Sequence, residues 1–79
     1  MTMRVHATDF ETSDLSLAAF LLSRGHALLD VGTVGGGRKV FHFPPEVHEE
    51  ARAFYQNAPV PARAFANALR DLKALIRET

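Results

Sequence analysis

Hydrophobic positions along this chain fall into blocks whose spacing differs from one to the next. The first holds Leu15, Leu17, Ala18, Ala19, Phe20, Leu21 and Leu22, which at about 100° per residue cover nearly the whole circumference of a helix. Thr12, Ser13 and Asp14 are N-cap candidates, and Gly25 after Arg24 is the expected C′ residue, so a helix is predicted from about Asp14 to Arg24. Only Ser16 and Ser23 mark a polar seam. A helix this apolar is either wrapped by its own domain or shared with another subunit, and sharing makes Leu17, Phe20 and Leu21 the expected self-association contact.

The second block changes period. Two apolar runs flank Gly35-Gly36-Gly37, which is the signature of a β-hairpin with a glycine loop. That loop sets the register: Val34 opposite Arg38, Val31 opposite Phe41 and Leu29 opposite Phe43, with Asp30 opposite His42 on the other face. The Leu29, Val31, Phe41 and Phe43 face then needs covering, because two strands alone are marginal in water. Before the first helix, Arg4 to Ala7 alternates weakly and marks a short edge strand at most.

Pro44-Pro45 stops the second strand and starts a second helix, with Glu46, Glu49 and Glu50 near its positive end and Val47, Ala51, Phe54 and Tyr55 as its apolar face. Asn57 to Pro61 reads as a loop. A last helix runs from about Pro61 to Arg77, with Phe65, Ala68, Leu69, Leu72 and Ile76 on one face. The expected fold is therefore α+β, a single domain over residues 1–79 in the order α-β-β-α-α, with a central antiparallel hairpin packed on helices.

Composition narrows the choices. With 79 residues the chain buries only roughly 60–65% of the surface exposed when unfolded, so its core is thin. There is no cysteine, which removes disulfide staples and thiolate metal ligands and suits a reducing cytoplasm. Nine bases balance nine acids, so no global field draws the chain to nucleic acid or to an anionic membrane, and such binding needs a local patch. No signal peptide is evident, and the longest apolar run, Leu17 to Leu22, is far short of a membrane span. A soluble cytoplasmic protein is expected.

Several chemistries fail on their spacing. Gly32 to Lys39 lacks the Gly-Lys-Ser/Thr that opens a helix in a phosphate loop, because Arg38 intervenes and a strand follows. His48-Glu49-Glu50-Ala51-Arg52 carries arginine where a zinc protease motif needs its second histidine. His6, His26, His42 and His48 have no ligand spacing among them. Asp30 opposite His42 reads as a cross-strand structural pair, and no nucleophile elbow surrounds Ser16 or Ser23. Nothing points to catalysis, a cofactor, a metal or a small-molecule substrate.

The bases give a more usable signal. Arg63, Arg70, Lys73 and Arg77 fall within an arc of about 80° on the last helix, with Asp71 and Glu78 on the other flank. With Arg38 and Lys39 at the hairpin tip, they form a candidate grip on a phosphate backbone. The competing explanation is an ordinary amphipathic helix whose cations complement its dipole.

The run Thr12-x-Asp14-Leu15-x-Leu17 to Leu22, then Gly25, Gly37-Arg38-Lys39-Val40-Phe41-x-Phe43 and the closing Phe65-x-x-Ala68-Leu69-Arg70-x-Leu72-Lys73 resembles a small bacterial and phage family of domains of unknown function over about Ala7 to Arg77. The resemblance implies an α+β miniature domain of phage or mobile-element type and no established activity. It also marks His42 as a departure, because relatives tend to keep an apolar residue between the phenylalanines. Two functions are carried forward: a non-enzymatic interaction module, a homodimer or a binder of another protein, and a nucleic-acid-associated accessory protein.

Overall fold

The computed structural model describes residues 9–78. It contains β1 (Phe10–Thr12), α1 (Leu15–Ser23), β2 (Asp30–Val34), β3 (Arg38–Phe43), α2 (His48–Tyr55) and α3 (Ala62–Glu78), with short 3-10 turns at Gly35–Gly37 and Pro45–Val47. The α+β class and the hairpin between helices are as the sequence predicts. The strand expected at Arg4 to Ala7 lies outside the described residues.

The α1 boundaries follow from local chemistry. Asp14 accepts hydrogen bonds from the backbone N–H groups of Ser16 at 2.9 Å and Leu17 at 3.2 Å, satisfying two donors that the first turn leaves open. Gly25 closes the other end at φ +93°, where its N–H donates to the Leu22 carbonyl and that of His26 to the Leu21 carbonyl. This is the double bond of a Schellman cap. Between the caps Leu17, Ala18, Ala19, Phe20 and Leu21 are all buried. Five consecutive buried residues span more than one turn, so this stretch of α1 is covered on every side. Its own chain does the covering, through α3, α2 and the sheet.

The sheet order is β1-β3-β2, antiparallel throughout. Val34 faces Arg38, Val31 faces Phe41 and Asp30 faces His42, so the expected hairpin register is correct over these pairs. Gly36 and Gly37 turn the tip at φ +80° and +81°, a conformation that side chains disfavour. The expected pairing of Leu29 with Phe43 is not made. Leu29 N–H donates to the His42 carbonyl at 2.7 Å, so Leu29 and Asp30 both meet His42 as in a β-bulge, and Phe43 pairs only on its other side, with Phe10 of β1. Leu29 is left 41% exposed rather than in the core, while Phe41 and Phe43 are buried.

Val47 and Ala51 of the second helical segment join the core cluster, with Phe54 packed against it. Tyr55, expected on the same face, points outward. On α3, Ala68 and Leu72 are buried, with Phe65, Leu69 and Ile76 packed beside them as expected. Among the described residues no helix is long and apolar enough to cross a membrane.

Candidate nucleic-acid interface

The outer face of α3 arises from its own periodicity. Burying Ala68 and Leu72 against α1 sends Arg63, Arg70, Lys73 and Arg77 to the opposite side, and all four are exposed. From Arg63 to Arg77 the helix rises about 21 Å. Arg70 Nη1 donates to Asn67 Oδ1 at 2.9 Å, a neutral partner, and none of the four forms an ion pair among the described residues. Asp71 and Glu78 stand off the arc. The array is thus uncompensated positive charge.

Arg38 and Lys39 belong to a different element. Arg38 begins β3 and is exposed, whereas the Lys39 ammonium donates to Thr33 Oγ1 at 2.9 Å across the hairpin. The structure therefore brings the four helix bases together on α3 and sets the hairpin bases in the sheet, with Lys39 occupied in holding its neighbour.

The expected self-association contact needs correction. Leu17, Phe20 and Leu21 are 1% exposed or less. They are enclosed by their own domain, the first of the two alternatives for so apolar a helix, and present no surface to a second copy. Open apolar side chains lie elsewhere: Val34 at the end of β2, an edge strand among the described residues, Leu29 just before it, and Tyr55 at the end of α2.

One polar cluster has no counterpart in the sequence reading. Arg24 Nε donates to Glu50 Oε1 at 2.8 Å and Nη2 to Glu50 Oε2 at 3.3 Å, while Nη1 donates to the Pro59 carbonyl at 3.1 Å. His26 Nε2 stands 3.7 Å from Glu50 Oε1, and the guanidinium lies 5.1 Å from the centre of the Phe20 ring. Hydrogen bonding to Arg24 lowers the Glu50 carboxyl pKa, and the same bonds raise that of the guanidinium. The cluster ties the end of α1 to α2 and to the loop before α3. Partners 26 positions apart leave no local spacing signal.

His42 lies in register with both Asp30 and Glu11, on the sheet face opposite the core phenylalanines. Its Nδ1 is 3.7 Å from Glu11 Oε2, whereas the Asp30 carboxylate accepts from the Val31 N–H at 2.9 Å. The imidazole thus shares a row with two acids, and the nearer ion-pair contact is to β1. No group of three or more His, Cys, Asp or Glu among the described residues is placed to hold a metal ion.

A family model described as a domain of unknown function, DUF5659, matches residues 7–78. Comparison with curated proteins and with solved structures returns no match.

Proposed function

The chain belongs to the DUF5659 family, a domain of unknown function, and from the geometry above we propose that it is a non-enzymatic, nucleic-acid-associated protein that grips the phosphate backbone with the outer face of α3. The observation that carries this reading is the arc of Arg63, Arg70, Lys73 and Arg77, exposed and without a single acidic partner among the described residues. The contrast within the chain is informative. Arg24 is held by the Glu50 carboxylate, whereas the α3 bases have no carboxylate among the described residues and Arg70 bonds only the neutral Asn67. Phosphate suits such an array better than a membrane surface, because Ala66, Asn67 and Ala74 between the bases offer nothing large and apolar to insert.

The test is binding of a mixed pool of short nucleic acids as a function of salt. Four phosphate contacts give a plot of log affinity against log salt with a slope of about −3 to −4. The double substitution Arg70→Gln/Lys73→Gln reduces that slope by about half. Binding that ignores salt, or none at low salt, overturns the reading.

A second reading rests on β2. Its outer edge has no partner strand among the described residues, and Val34 at its end and Leu29 just before it are 39% and 41% exposed. A second copy adding its own edge strand would make the chain a self-associating module. Light scattering at high micromolar concentration decides this: a strictly monomeric mass excludes it.

A further inference from the structure

Tyr55 is 69% exposed, far more open than any other large hydrophobic side chain described, and it is the last residue of α2. Its ring is nevertheless supported. It meets the Phe54 ring edge-on, with centroids 5.2 Å apart and planes at 78°, and Phe54 leans on the core ring of Phe20 at 5.4 Å. A T-shaped contact of this kind steadies a ring and covers at most one of its faces. Arg52, also exposed, stands three residues earlier on the same side of the helix. The exposed acids of this segment, Glu46 and Glu49, lie toward its other end. The loop that follows Tyr55 is held to α1 by the bond from Arg24 to the Pro59 carbonyl and leads directly to Arg63 on α3.

We propose that Tyr55 is a stacking platform for an unpaired nucleobase, with Arg52 taking an adjacent phosphate, so that the nucleic acid this chain binds is single-stranded. This rests on the reading of α3 given above and adds the class of nucleic acid. A protein hot spot is the weaker occupant, because such spots sit inside a wider apolar patch, and the other exposed large hydrophobics among the described residues, Leu29 and Val34, are in or beside β2. A base needs only one open ring face, and a neighbouring cation for its backbone. In a duplex the bases are already stacked on each other and present no face to the ring.

The chain contains one tyrosine and no tryptophan, so its intrinsic emission reports Tyr55 alone. The full chain is titrated at low salt with a labelled single-stranded oligonucleotide of about 12 nucleotides and with the matching duplex, following tyrosine emission and label anisotropy together. The expected result is quenching by the single strand and not by the duplex. Tyr55→Ala then weakens single-strand binding roughly 5- to 150-fold, and Tyr55→Phe, which keeps the ring, restores most of it. Salt-dependent binding with unchanged emission and equal affinity for Tyr55→Ala overturns the platform while leaving the α3 reading intact. Absence of binding by wild type and both variants overturns both. Emission that changes with protein concentration alone assigns the ring to a second copy and likewise overturns the platform.

Discussion

Gly25 and Asn57 hold the same position in two copies of one helix cap. After α2, Asn57 N–H donates to the Phe54 carbonyl at 3.0 Å and Ala58 N–H to the Ala53 carbonyl at 3.1 Å, repeating the pattern after α1. Both C′ residues have positive φ, +93° for Gly25 and +64° for Asn57, a region that costs an L residue about 1–2 kcal/mol and glycine almost nothing. Substitutions at the two sites therefore have opposite signs. Gly25→Ala lowers stability by about 1 kcal/mol, through backbone strain alone, since a Cβ there meets nothing within 4 Å. Asn57→Gly raises it by a few tenths to about 1 kcal/mol, and urea midpoints measured side by side check both. Only the first cap was legible in the sequence, because a glycine after an apolar run is a stop signal, whereas Asn57 read merely as the start of a proline-containing loop. Tyr55 was misplaced for a related reason. Phe54 and Tyr55 are about 100° apart on a short helix, and periodicity alone does not say which turns inward.

Among the elements, α1 is held by packing along its length and by charge at its end. Leu72 is the most buried α3 residue against it, so Leu72→Ala costs about 2–5 kcal/mol, a large share of the roughly 5–15 kcal/mol that small domains possess, and lowers the thermal midpoint accordingly. The Arg24–Glu50 cluster adds a pH dependence. Glu50 has its pKa lowered in the fold, so its contribution is present above the carboxyl's unfolded pKa and is lost as pH falls through the lower folded value. Arg24 has its pKa raised, so its contribution is complete at any pH below its unfolded value, neutral conditions included. Replacing Glu50 by glutamine should flatten the acid limb of a stability–pH curve, and a curve that keeps its wild-type shape would show that the cluster contributes nothing. Elements were legible where their information is local. The glycine loop sets the β2–β3 register, but Phe-Glu-Thr of β1 is too short to announce a strand and exists by pairing with β3. Leu29 left the core because the bulge opposite His42 takes it out of register with Phe43, which no pattern within the hairpin reveals.

For the molecule as a whole, zero formal charge conceals an uneven distribution. Asp14 caps α1, Glu49 and Glu50 stand in the first turn of α2, and bases line α3. Because the four α3 bases are exposed and make no ion pair among the described residues, Arg70→Gln/Lys73→Gln should leave stability within about 0.5 kcal/mol while changing the salt dependence of binding. A variant that unfolds would instead show these side chains to be structural. The arc itself was legible, since helical spacing places all four residues together. The enclosure of α1 from Leu17 to Leu21 has an evolutionary corollary. Selection for folding reads this stretch on every side and holds its composition narrow, but it is blind to the outward positions of α3 and to Tyr55. When members of the family are aligned, persistence of Arg63, Arg70, Lys73, Arg77 and Tyr55 therefore measures selection on binding with little contribution from the core, and free drift at those positions would mark them as mere solvent-facing filler.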